Sequence, residues 1–196
     1  MGEFFSSFDD AWAHFLRREE PLEDFFADFP EDTSAVLEGW LVEPPPEVKT
    51  AALEIQRELA DSDWLVPIPA HFLHVAIGLR QHIGDAWEGW HEIEPFGVAY
   101  ARVNCFHSAV VVEVAGAEMR RFVAGTPNDL PTFLPHVTVA VVREPRPPGR
   151  LRDVLGRVRE SVLGEQIVRE ATLVRFPAAR TTLFPPWTIE QVVSLG

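Results

Sequence analysis

Two histidines head hydrophobic, β-branched runs 62 residues apart: His74-Val75-Ala76-Ile77 and His136-Val137-Thr138-Val139. In a strand, residues i and i+2 share a face. His74 and Ala76 therefore share one face and His136 and Thr138 another, while Val75, Ile77, Val137 and Val139 pack behind. Each half of the chain offers one imidazole on a rigid strand. Two imidazoles facing each other across a cleft can perform acid–base chemistry at phosphate. A neutral ring takes the proton of the attacking hydroxyl or water, and a protonated ring donates to the leaving oxygen. Histidine suits both tasks because its reference pKa is near ~6.5. A hydroxyl two residues beyond the histidine can hold a non-bridging phosphate oxygen. Such a reaction requires no metal and no other cofactor.

Other chemistry-bearing residues are less well placed. His71 and His74 form an HxxH pair, but they point to opposite faces of a strand and have no nearby third ligand, so no metal site is expected. Cys105 and His107 lack an orienting partner for nucleophilic catalysis. The GTPND stretch lacks the Lys-Ser/Thr ending of a phosphate-binding loop. Arg80, six residues beyond His74, falls on the His74 face by parity, whereas Arg143 falls opposite His136. Arg80 is thus the better phosphate candidate. Phe72 shares a face with His74, and Leu134 with His136. Phe72 or Phe133 is positioned to stack on a base, with Trp187 a further aromatic candidate near the end.

The paired motifs resemble the 2H phosphoesterase superfamily, whose 2′,5′-RNA ligase and cyclic phosphodiesterase members carry two H-x-[T/S]-x motifs on two lobes. HVTV at 136–139 matches fully and follows Leu134-Pro135. HVAI at 74–77 matches in position and hydrophobicity, but Ala76 replaces the hydroxyl residue. The resemblance runs from about Trp40 to the C-terminus. It implies an α+β bilobal fold, two small mostly antiparallel sheets each backed by helix, with His74 and His136 as the catalytic pair. Thr138 would bind a phosphate oxygen. The implied reaction is hydrolysis of a 2′,3′-cyclic phosphate, or opening and forming of 2′,5′ linkages, in nucleotides or short RNA. Ala76 leaves a second reading open, a nucleotide- or RNA-end-binding protein that uses the same cleft with weakened catalysis.

The elements that must position these residues follow from periodicity. Phe8, Trp12, Phe15 and Leu16 recur as the apolar stripe of an amphipathic helix, with Asp9 and Asp10 at its start and Arg17 and Arg18 at its end. Pro21 breaks it, and LEDFFADF reads as a second short helix. These aromatics should pack on the main body or on a second chain. Gly39–Val42 reads as a strand, and Pro44-Pro45-Pro46 leads into a helix carrying Val48, Ala52, Ile55 and Leu59. Phe72–Leu79, Phe96–Val103, Ala109–Val114 and Leu134–Val142 read as strands around a short helix at Ala117–Val123 and a polar loop at Thr126–Pro131. A helix at Leu151–Leu163 precedes strands at Ile167–Phe176, Thr181–Phe184 and Trp187–Val193. Residues 1–37 are a helical N-terminal extension and residues 38–196 the bilobal domain.

Composition narrows the partners. The chain has 196 residues, 46% of them hydrophobic, with 30 Asp+Glu against 17 Lys+Arg and a formal net charge of −13. That acidity argues against coating long nucleic acid or an acidic membrane. Residues 1–35 carry ten acids and two arginines, however, and residues 143–180 carry nine arginines and five acids. A small phosphodiester in a local cleft is therefore compatible with the charge. The single cysteine, Cys105, excludes an internal disulfide. No apolar run is long enough to span a bilayer, and the acidic N-terminus has no signal-peptide core, so a cytoplasmic protein is expected. Residues 1–37 are the expected surface for contact with a partner or a second copy.

Overall fold

The structure is a computed structural model that describes residues 5–27, 29, 31, 36–124, 134–180 and 183–196. In chain order its elements are α1 (Phe8–Arg17), β1 (Val36–Val42), α2 (Pro46–Glu58), β2 (Leu65–Pro67), β3 (Val75–Leu79), α3 (Arg80–Ile83), β4 (Phe96–Cys105), β5 (Ala109–Ala115), α4 (Ala117–Ala124), β6 (His136–Val142), α5 (Gly149–Val158), β7 (Val162–Val168), β8 (Glu170–Pro177) and β9 (Thr188–Ser194). Short 3-10 turns occupy Ala70–Phe72 and Ala86–Glu92.

The strands hydrogen-bond in the order β7-β4-β5-β6-β3-β1-β8-β9, with β2 beside β6, and every pairing is antiparallel. The two small sheets expected from the sequence are thus the halves of one ladder. They meet at a narrow seam, where β3 and β6 are joined through the pair Val75↔Val137. Helices α1, α4 and α5 lie against β4, and α2 against β6 and β7.

Local sequence accounts for most elements. The Ser7 hydroxyl caps α1 by accepting from the Asp10 amide at 3.1 Å, and Asp9 and Asp10 fill its first turn. Pro46 starts α2 where a missing N–H is harmless, and Val48, Ala52 and Ile55 bury its inner face. On β6, alternation buries Val137 and Val139 and leaves His136 and Thr138 partly exposed.

The N-terminal segment covers its own chain. Phe8, Ala11, Phe15, Leu22 and Phe26 are buried, whereas Leu16, counted in the helical stripe, is 46% exposed. The second helix expected in LEDFFADF does not form. Instead the amides of Leu22, Glu23 and Phe25 donate to the carbonyls of Arg146, His107 and Val142, and these long-range bonds hold the chain away from helical geometry.

Other boundaries shift for similar reasons. The strand expected at Phe72–Leu79 begins at Val75, because the Phe72 amide closes a turn on the Pro69 carbonyl at 2.8 Å. Helix α5 stops at Val158, since Val162–Val168 pairs with β4. Ile167–Phe176 is divided at Arg169 between β7 and β8. Leu183 and Phe184 are not in a strand, and Thr181 and Thr182 lie outside the described residues, as do the loop Thr126–Pro131 and Phe133.

Candidate active site

The seam between β3 and β6 determines where the histidines stand. Val75 and Val137 are both buried, and they face each other across the strands. In an antiparallel register the next cross-strand positions are His74 opposite Thr138 and Ala76 opposite His136. Alternation turns all four to the face opposite the two valines. They line one cavity of about 270 Å³, just below the roughly 300–1,000 Å³ usual for small-molecule sites.

Each imidazole is held in the same way. His74 Nδ1 lies 2.7 Å from the Phe72 carbonyl, and His136 Nδ1 lies 2.7 Å from the Leu134 carbonyl. A carbonyl only accepts, so Nδ1–H is the donor in both rings and Nε2 bears the lone pair of the neutral form. An aromatic edge braces each ring as well: Trp187 at 5.5 Å from His74 and Phe106 at 5.0 Å from His136, centroid to centroid. Burial lowers the pKa of both histidines from 6.5, against a smaller upward pull from the carbonyl partners. The charge of His74 lowers that of His136 further. Both rings are therefore disposed to be neutral at pH 7, and adding one proton disfavours a second.

The remaining expectations divide. Phe72 lines the cavity from its 3-10 turn, with its ring 4.9 Å from Trp187 and 5.5 Å from Phe184. Arg80 is elsewhere. Its guanidinium is 3.0 Å from Glu38 and lines a separate cleft with Asp85 and Arg175. The parity count failed because β3 ends at Leu79 and Arg80 opens α3, where strand alternation no longer holds. Just before that end β3 also bulges against β1: Trp40 pairs with Gly78 and Leu41 with Ala76, so Ile77 is the extra residue. Cys105 is buried at the end of β4, and burial pushes its thiol pKa up, which suits packing rather than attack. The His71 Nε2 lies 3.3 Å from the Phe184 carbonyl, where it tethers the 3-10 turn to the cavity rim.

Inspection of the motifs missed the walls. Phe25, Phe26 and Phe29 reach the cavity from the N-terminal segment, and Phe176 and Phe184 from the C-terminal part. The one signal was the excess of aromatics in LEDFFADF, which demanded a cover. Phe184 sits at φ 50°, an uncommon conformation for a side-chain-bearing residue that costs on the order of 1–3 kcal/mol. Its place at the cavity fits the tendency of such strain to collect at functional sites.

No family model matches the sequence, and no curated protein matches it. Solved structures do match in fold. The protein TT0787 of Thermus thermophilus superposes with a TM-score of 0.59 at 21% identity. E. coli LigT matches at 0.55 and 15% as its complex with ATP, and at 0.54 and 16% as its complex with 3′-AMP. A phosphoesterase matches at 0.52 and 15%. Each of these alignments covers 81% of this chain and 97% of the other. The chain therefore shares the fold of LigT, of TT0787 and of that phosphoesterase.

Proposed function

We propose that the protein is a metal-independent phosphodiesterase acting on the 2′,3′-cyclic phosphate or 2′,5′ linkage of a nucleotide or short RNA end, with His74 and His136 as its acid–base pair. The observation that carries this reading is the Val75↔Val137 register, which turns both histidines toward one cavity with Nδ1 of each tied to backbone. One Nε2 accepts the proton of the attacking hydroxyl or water. The other, protonated, delivers a proton to the departing oxygen, and the Thr138 hydroxyl donates to a non-bridging oxygen. LigT, which shares the fold, has been crystallised with ATP and with 3′-AMP, and this supports a nucleotide as the ligand class.

The test is incubation with 2′,3′-cyclic nucleotides in EDTA, with product analysis. Turnover that falls by roughly 10²- to 10⁴-fold in His74→Ala and in His136→Ala is expected from loss of one acid–base group. Absence of turnover, or turnover indifferent to both changes, removes the assignment. Ala76 favours a second reading, binding without efficient turnover, because its methyl lines the cavity where a hydroxyl would help hold phosphate. Nucleotide binding without product would support that alternative.

A further inference from the structure

The cavity is unusual in its charge. Among the described residues lining it, the only titratable groups are His74 and His136, and there is no lysine or arginine. Two arginines flank lining residues in sequence: Arg175, beside Phe176, lines the separate cleft that holds Arg80, and Arg180 stands beside Ala179. The Arg180 guanidinium is 2.8 Å from Asp24, whose side chain is only 12% exposed. The other Asp24 oxygen accepts the Phe26 amide at 2.9 Å. One carboxylate thus pairs with Arg180 and shapes the turn that carries Phe25 and Phe26 into the cavity wall.

The aromatic side of that wall is continuous. Phe25, Phe26 and Phe29 stand 5.2 to 5.8 Å apart, centroid to centroid, and Phe26 reaches Phe184 at 6.0 Å. We propose that Phe25, Phe26 and Phe29, with Asp24 behind them, make the N-terminal segment a specificity wall. It selects a singly charged phosphodiester bearing one flat, uncharged aromatic group and disfavours a ligand with a further phosphate.

The physical basis is desolvation. Taking a charge into an apolar cavity is costly unless it meets a partner. One protonated imidazole matches the single charge of a phosphodiester. A second phosphate would enter with the two histidines already committed and Arg180 held by Asp24. A flat ring, by contrast, gains from stacking against phenylalanine faces. The inference rests on the phosphodiesterase reading for the ligand's phosphate, and the test separates the two.

The full-length protein is given 2′,3′-cyclic AMP and the same nucleotide carrying a 5′-phosphate, with turnover and calorimetric binding both measured in EDTA. The 5′-phosphate is expected to lower kcat/KM and affinity by roughly 10-fold or more. Phe25→Leu and Phe29→Leu are expected to raise KM about 5- to 10-fold, more than they lower kcat. Asp24→Asn, which releases Arg180, narrows the penalty for the 5′-phosphate at least about threefold. Turnover without a 5′-phosphate penalty, or indifferent to both phenylalanine changes, overturns the wall and leaves the phosphodiesterase reading intact. Binding that shows these preferences without turnover does the reverse. Neither binding nor turnover overturns both.

Discussion

Val75 faces Val137 across the seam between the two halves of the sheet, and this one register aligns two sequence-distant histidine motifs. The valines occupy the buried face, so the residues flanking them, His74 with Ala76 and His136 with Thr138, share the cavity face. The site is made by strand pairing, and neither half holds both imidazoles.

With His74 and His136 as the proposed acid–base pair, the pH dependence of turnover would follow from burial at that seam. The competent form of a two-histidine site has one ring protonated and one neutral. Both pKa values lie below 6.5 in the free protein, and the proximity of the rings separates their titrations. A bell-shaped profile of kcat/KM is therefore expected, with its maximum on the acid side of pH 6.5. A bound phosphodiester anion favours the protonated ring, so the kcat profile lies at higher pH than that of kcat/KM. Steady-state rates from about pH 4.5 to 8 on a 2′,3′-cyclic nucleotide decide this. A kcat/KM maximum above pH 7 contradicts it.

Ala76 is the position where a hydroxyl would restore a phosphate contact. It is partly buried, lies in β3 and lines the cavity, and a threonine suits a strand. A hydrogen bond to a charged oxygen is worth about 1.5–3 kcal/mol, or roughly one to two decades in rate. Ala76→Thr is expected to raise kcat/KM about 10- to 100-fold, provided the gain depends on the imidazoles. The double variant Ala76→Thr with His136→Ala should therefore show no such gain. An unchanged rate in the single variant would mean that backbone or water already fills this role.

What the linear sequence makes legible is local. Period-two alternation identifies the histidine strands, and an apolar stripe with acids at its start and arginines at its end identifies α1, because both depend on near neighbours. The Arg80 placement misled because the strand gives way to helix α3 at Arg80, and the alternating run before it does not announce where the strand stops. The LEDFFADF segment misled for a related reason. Its backbone finds partners at His107, Val142 and Arg146, more than eighty residues away, and these override a helical pattern. Apart from Phe72, the aromatic cavity wall is invisible to motif inspection, because Phe25, Phe29, Phe176 and Phe184 meet only in the folded chain.

Folding stability should also record the two partly buried histidines. Because their native pKa values lie below 6.5, the unfolded chain binds more protons as pH falls through about 6.5. Stability is thus fully present above that pH and is lost as pH falls toward the native pKa values. Each histidine contributes a slope of at most about 1.4 kcal/mol per pH unit. Urea unfolding at pH 7.5, 6.5 and 5.5 should show a steeper loss in the wild type than in His74→Asn or His136→Asn. Equal slopes in all three proteins would indicate that neither ring is held neutral.

The N-terminal helix is locked to the sheet by an ion cluster whose centre is Glu113. This carboxylate is buried, with Arg159 at 2.5 Å, Arg102 at 2.6 Å and the Asn104 amide at 2.9 Å. Asn104 also donates to the Phe8 carbonyl of α1 at 2.8 Å, and Arg159 lies over the Trp12 ring at 4.7 Å. Arg102 reaches both Glu113 and Asp9 from a left-handed backbone at φ 60°, where the β4–β5 register slips. Removing the carboxylate leaves the buried Arg159 charge with only the more distant, exposed Asp9 at 3.9 Å, close to the costly case of a buried pair with one partner removed. Glu113→Ala is expected to destabilise by roughly 3–5 kcal/mol. Because α1 hangs on the same residues, the loss should also loosen the N-terminal segment. Hydrogen exchange over residues 8–26 should then rise more than exchange in β1 and β8. A uniform rise would mean that the cluster stabilises the sheet as a whole, and a loss under about 1 kcal/mol would mean that solvent already screens it.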